Sequence, residues 1–183
     1  MAPVPSRSKA TCPLPTELSS PLLSREPHRQ HALVVGAGLS GSAVAHSLAS
    51  RGWSVTVIDQ ADGVGAGASG LPAGLAAPHV SPDDNVLSRI TRAGVAATLK
   101  RAEALLNSGT DWALTGVLEH NLAGKRRLPT AEASADPIAH EYSAQASAEQ
   151  VAAAGLPPGT PALWHARAGW IRPRQLVAAQ LQT

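Results

Sequence analysis

The residues best placed for chemistry in this sequence of 183 are a set of glycines and one carboxylate. Gly36-Ala37-Gly38-Leu39-Ser40-Gly41 closes a short apolar run and opens a helical pattern, and Asp59 stands 21 residues beyond Gly38. At the start of a helix, backbone N–H groups without Cβ atoms in the way bind phosphate oxygens. A carboxylate about 20 residues further on accepts hydrogen bonds from a ribose. The chemistry is therefore recognition of an ADP-containing dinucleotide. Gly36 permits the tight turn, Gly38 leaves the backbone open to a pyrophosphate, and Gly41 lets the helix pack closely on the strand. A carboxylate at position 59 also disfavours a 2′-phosphate.

The elements that must position these residues are written around them. Ala32-Leu33-Val34-Val35 reads as a strand buried on both faces. From Leu39 to Arg51, the positions Gly41, Val44, Ala45, Leu48 and Ala49 share one helix face, and Gly52 stands where a C′ glycine stops a helix. Ser54-Val55-Thr56-Val57-Ile58 is a β-branched second strand ending on Asp59. Together they predict a Rossmann-like βαβ unit in an α/β fold. A second match to the same glycine spacing, Gly65-Ala66-Gly67-Ala68-Ser69-Gly70, neither follows a strand nor opens a helix.

NAD and FAD both carry ADP, so the βαβ unit alone leaves the two open. The loop after Asp59 separates them. Gly63, Gly65, Gly67, Gly70 and Gly74, interleaved with Ala and Ser69, allow a backbone to lie against a large flat cofactor. Ser69 reads either as a donor to the pyrophosphate or ribityl chain, or as a simple turn serine.

Further along, Ser81-Pro82-Asp83-Asp84 predicts an N-cap, a Pro at N1 and an acid at N3 for a helix running to about Leu106. Residues 115–119 read as a strand, and Ser147-Ala148-Glu149-Gln150 as a capping box for a helix closed by Gly155. Residues 163–165 and 169–171 read as the two strands of a hairpin. Pro173 starts a helix whose apolar residues Leu176, Val177 and Leu181 are still running at Thr183, so the sequence reads as ending inside an element.

Composition excludes several classes. Residues 1–30 hold six Pro and five Ser with no apolar periodicity, which predicts a disordered leader or linker and excludes a Sec-type signal peptide. That segment carries the whole formal charge of +2; the body balances eleven basic against eleven acidic residues and supports no nucleic-acid surface by itself. The Lys125-Arg126-Arg127 run reads as a solvated loop tip. Cys12 is the only cysteine, which excludes a disulfide scaffold and fits a reducing, cytoplasmic compartment. No segment reads as a membrane span, and the His and Cys spacings make no metal site.

Gly36–Gly41, Arg51-Gly52-Trp53 leading to Asp59, and Gly67-Ala68-Ser69-Gly70 followed by Gly74 resemble the FAD-binding start of the glycine oxidase/D-amino-acid oxidase (DAO) superfamily. Within it, the likeness is closer to the oxidoreductase half of the bifunctional tRNA 5-methylaminomethyl-2-thiouridine biosynthesis family. Ser81–Arg89, Asp111-Trp112 leading to Gly116-Val117, and Gly169-Trp170-Ile171-Arg172-Pro173 carry that closer likeness. It covers residues 30–183. Leu71, Ala73 and Ala77 depart from the family pattern on the flavin side of the loop.

The resemblance implies FAD as cofactor, held by Gly36, Ala37, Gly38, Leu39, Ser40, Gly41, Asp59, Gly67, Ser69, Gly70 and Gly74. The fold implied for residues 31–183 is the N-terminal part of a DAO-type domain: the FAD-binding βαβ unit and the start of an α+β substrate region, truncated before the later strands. The implied reaction oxidises a carboxymethylaminomethyl group on a wobble uridine of tRNA. Hydride leaves the α-carbon for flavin, and water hydrolyses the imine to an aminomethyl group and glyoxylate. Two alternatives stand beside it: a stand-alone glycine or D-amino-acid oxidase taking a small amine, and a dinucleotide-binding fragment without activity. No catalytic residue is assigned. Arg89, Arg167, Arg172 and Arg174 are available to hold a carboxylate but read as surface residues, as do His79 and His165, while Trp112 and Trp170 read as core fillers.

Overall fold

The computed structural model describes residues 30–121 and 137–182. The leader with Cys12 and the Lys125–Arg127 run lie outside the described residues.

β1 (His31–Val35) and β2 (Ser54–Ile58) pair in parallel, His31 opposite Ser54 through Val35 opposite Ile58. α1 (Leu39–Ala49) makes the crossover, and Gly52, at φ +84°, turns the chain back into β2. The βαβ unit expected from the periodicity is thus formed. Two details differ. β1 is not buried on both faces: its burial alternates, and Leu33 and Val35 are 60% and 77% exposed, with Ile58 beside them at 46%. Val34 faces α1, so the strand pair is covered on one side. The buried face of α1 also centres on Ser42 and Ala45, while Val44 is exposed. The reason is α5 (Pro173–Gln182), which packs along α1 and sends Gln180 Nε2 to Ser42 Oγ at 3.5 Å. Small residues on that face allow the two helices to approach.

The rest of the described chain builds two three-stranded antiparallel sheets. β3 (Gly74–Ala76), β8 (Gly169–Ile171) and β4 (Trp112–Ala113) run in the order β3-β8-β4. β5 (Val117–His120), β7 (Ala162–His165) and β6 (Ala144–Gln145) run in the order β5-β7-β6. The expected hairpin of residues 163–165 and 169–171 is therefore corrected. β7 uses both edges on β5 and β6, and β8 uses both on β3 and β4, leaving no edge for each other. At the switch between the sheets, a Cβ on Gly169 would stand 2.1 Å from the Ala113 carbonyl oxygen, so only glycine fits.

α2 (Val86–Leu105) begins later than Ser81 and Pro82 suggest. Ser81 to Asp84 instead forms a turn, closed by Asp84 N–H to the Ser81 carbonyl at 3.2 Å, and Asp84 takes a left-handed φ of +45° that no helix can continue. Asn85 is the N-cap, its Oδ1 accepting from Ser88 N–H at 3.1 Å. Asp84 is free to grip Arg92 through both carboxylate oxygens, a pair almost withdrawn from solvent. α3 (Pro137–Tyr142) precedes β6, and α4 (Ala148–Ala153) carries the expected capping box: Ser147 Oγ accepts from Gln150 N–H, and Gln150 Oε1 from Ser147 N–H. The core under the site joins Ala102, Ile171 and Leu176, with Leu39, Leu105, Leu106 and Trp112 packed against them. Trp112 is thus the core filler expected, and the first residue of α1 is anchored in the same cluster.

Candidate dinucleotide site

The turn from β1 into α1 is shaped by close backbone contacts. Gly36 has φ +104° and donates its N–H to the Ile58 carbonyl at 2.7 Å, tying the turn to the end of β2. A Cβ on Gly41 would lie 1.8 Å from the Gly36 carbonyl oxygen, so α1 seats on the turn only because position 41 is glycine. The N-cap residue Gly38 supplies no side-chain acceptor. Among the described residues, the N–H groups of Ser40 and Gly41 meet no acceptor, as expected for a first helical turn that faces outward.

Asp59 is exposed at the end of β2. Its Oδ2 accepts from Ala37 N–H at 2.6 Å, and its Oδ1 from Ala61 N–H at 2.9 Å. These donors, Ala37 first, hold its pKa below the usual carboxylate value, so Asp59 is an anion at neutral pH. A carboxylate has about four lone-pair sites, which leaves acceptor capacity for a ribose hydroxyl. An open depression of about 380 Å³ lies on one side, lined by Val35, Gly36, Ile58, Asp59 and Gln60. Another of about 340 Å³ lies on the other side, bordered by Ala37, Asp59, Ala61 and Gly63 among others.

The second glycine motif belongs to the same construction. Gly65 N–H donates to the Ala37 carbonyl at 2.9 Å, and Ser69 Oγ accepts from Leu39 N–H at 3.0 Å. Residues 68–70 form a single 3-10 turn, and a Cβ on Gly70 would come within 2.6 Å of the Gly65 carbonyl oxygen. Gly65–Gly70 is thus a buttress that supplies the acceptor missing at the N-terminus of α1. Here the structure refines the reading of Gly38: the atom a Cβ at that position would crowd is Ser69 Oγ, at 3.1 Å.

The structure therefore brings together Gly36, Ala37, Gly38, Leu39, Ser40, Gly41, Asp59, Ser69 and Gly70. Gly67 is exposed and its missing Cβ meets nothing within 4 Å, while Gly74 lies apart, opening β3 against Pro173. Outside the site, His165 is corrected: it is 1% exposed, with Nδ1 2.7 Å from Ser143 Oγ and Nε2 3.2 Å from Glu119 Oε2. Arg167 reaches Glu141 at 2.7 Å and lies over the Tyr142 ring. The Ser69–Leu39 bond was invisible to motif spacing, because its partners are 30 residues apart in a loop without periodicity.

A glycine turn at a helix N-terminus, an ionised carboxylate after the second strand and a glycine-rich buttress suit an ADP moiety. The fold is that of glycine oxidase from Bacillus cereus, with a TM-score of 0.56 at 21% identity over 84% of this chain and 43% of that one. L-proline dehydrogenase from P. horikoshii gives 0.55 at 20% identity over 85% of this chain and 41% of that one. In sequence, the chain is 56% identical over 152 residues to the tRNA 5-methylaminomethyl-2-thiouridine biosynthesis bifunctional protein MnmC of a Polaromonas species. The protein of the same name from Paracidovorax citrulli is 58% identical over 150 residues. The matches take in 82% and 81% of this chain but 24% of each relative, so the chain spans about a quarter of the length of these curated relatives. Residues 31–183 match the DAO family throughout, and the chain accordingly belongs to these FAD-dependent oxidoreductases.

Proposed function

We propose that this chain forms the ADP-binding part of an FAD-dependent amine oxidoreductase that acts on the wobble uridine of tRNA. The observation that carries the reading is the Asp59 carboxylate bound to Ala37 N–H within the glycine turn, which joins ribose acceptor and phosphate donors in one rigid unit. The names of the relatives at 56–58% identity supply the tRNA.

In this reading the outward N–H groups of Ser40 and Gly41 take pyrophosphate oxygens, with the positive end of the α1 dipole behind them. Asp59 accepts from a ribose hydroxyl of the adenosine. Ser69 keeps Leu39 N–H in place with its oxygen and has its own proton left to donate. Gly67 and Gly74 join this reading through the family resemblance of the loop. FAD, when bound, supplies the two-electron acceptor for oxidation of the carbon next to the amine. The amine would be the carboxymethylaminomethyl group, ending as aminomethyl and glyoxylate after hydrolysis.

A second reading, dinucleotide binding without turnover, is favoured by the make-up of the cradle, where the described polar groups are backbone amides, the Ser69 hydroxyl and the Asp59 carboxylate. The two separate in one experiment. The chain is titrated with ADP and with FAD, then incubated with tRNA bearing the carboxymethylaminomethyl group while glyoxylate is assayed. Saturable FAD binding with glyoxylate release supports oxidation. Binding of ADP and FAD without glyoxylate supports the second reading, and no binding of either ligand overturns both.

A further inference from the structure

Among the described arginines, most are committed. Arg51 bonds the Ser47 carbonyl, Arg92 grips Asp84, Arg101 reaches Gln180 and Arg167 pairs with Glu141, while Arg89 sits in the field of Asp84. Arg172 and Arg174 differ. Neither guanidinium has an ion pair or hydrogen-bond acceptor among the described residues. Both are exposed, and they border one open depression of about 290 Å³ with Gly70, Leu71, Pro72 and Gln175. No carboxylate lines it. Asp111, whose backbone carbonyl accepts from Arg172 N–H at 2.7 Å, turns its own carboxylate to Asn107.

This arrangement opposes the usual electrostatics of a helix. Cations destabilise a helix N-terminus, yet Arg174 lies in the first turn of α5, which contains no acid. Two guanidinium forks around a cavity with nothing to neutralise them make a site for an oxyanion. Leu71, 59% exposed, and Pro72 give the same depression an apolar wall suited to a sugar or base edge.

We propose that Arg172, Arg174 and Gln175 form a phosphodiester-binding pocket that takes the backbone of the RNA substrate beside the second glycine-rich loop. The proposal rests on the tRNA reading above. Its depression shares no lining residue with the two that border Asp59, although Arg174 also lies against Gly63 and Gly65 of the glycine-rich loop. Gly70 is the junction between this depression and the proposed cofactor cradle.

The test measures binding of a labelled anticodon stem-loop RNA by fluorescence anisotropy across a salt series. The proteins are the wild-type chain, R172Q, R174Q, the double variant and an R51Q control, each checked for unchanged thermal stability. Each pocket substitution should weaken binding several-fold, and lower the slope of log K against log salt by about 1. The double variant should lower it by about 2, with R51Q unchanged, and FAD and ADP affinities should hold throughout. Unaltered RNA affinity and slope in the double variant overturn the pocket while leaving the tRNA reading intact. A parallel loss of FAD affinity, or displacement of the RNA by ADP or inorganic phosphate at equal potency, assigns the arginines to another anion and overturns it too. Absence of RNA binding by the wild-type chain, with FAD binding intact, removes both the pocket and the tRNA reading.

Discussion

The glycine turn and the sheet that holds His165 are built from opposite materials. Around Gly36–Gly41 the structure depends on what side chains leave out: backbone touches backbone, and two short side chains, Asp59 and Ser69, bond amides across loops. In the β5-β7-β6 sheet the order comes from what side chains put in. His165 is sealed between Ser143 and Glu119, and Asp84 and Arg92 pin the start of α2 in the same manner. A ligand cradle must keep its backbone donors near the surface, so it cannot be filled. A supporting sheet has no such duty and can bury polar groups once they are paired.

Substitutions should separate the two regions, beginning with the largest effect. Gly41→Val places a Cβ, and two more carbons, against the Gly36 carbonyl. We expect a loss of about 3 kcal/mol in urea denaturation and abolished ADP binding. If the variant binds ADP normally, close seating of α1 is not what shapes the cradle. Ser143→Ala leaves a buried ring nitrogen of His165 without a partner. It should lower stability by about 1–3 kcal/mol, with ADP affinity measured by calorimetry unchanged. A parallel loss of affinity would erase the distinction between the regions.

A smaller effect tests the tie between the glycine loops. Ser69→Ala should cost about 1 kcal/mol and speed exchange of the Leu39 amide hydrogen. Gly38→Ala should be harmful alone but milder in the Ser69→Ala background, since the crowded oxygen is then gone. Strict additivity in the double-mutant cycle would show that the two positions do not meet. The smallest effect is confined to acid. The pKa of Asp59 is lowered in the folded chain, so its contribution is complete above the ordinary carboxylate range of about 4. It is lost as pH falls through the lowered value. Asp59→Asn should therefore flatten the fall of Tm below about pH 4, and an unchanged profile would count against the backbone bonds to Ala37 and Ala61.

What could be read in the sequence follows the range of the interactions. Strand, glycine turn, helix, second strand and Asp59 fall within about thirty residues, and their periodicities record local geometry. The capping box at Ser147 is local too. Residues 163–165 and 169–171 misled because proximity in the chain suggests a hairpin, while the actual partners of β8 lie at 74–76 and 112–113. Ser81 misled because the cap pattern says nothing about the left-handed turn at Asp84, which pairing with Arg92 favours. The partners of His165 come from positions 119 and 143, and no spacing rule connects them.

The bonds of Asp59 and Ser69 to amides of the glycine turn have a consequence for how a ligand would arrive. Bonds within the protein brace both loops, so little ordering entropy would be spent at the moment of binding. Association with ADP should then behave as docking onto a finished surface: one kinetic phase, a rate linear in ligand concentration, and little change in amide exchange beyond the residues touched.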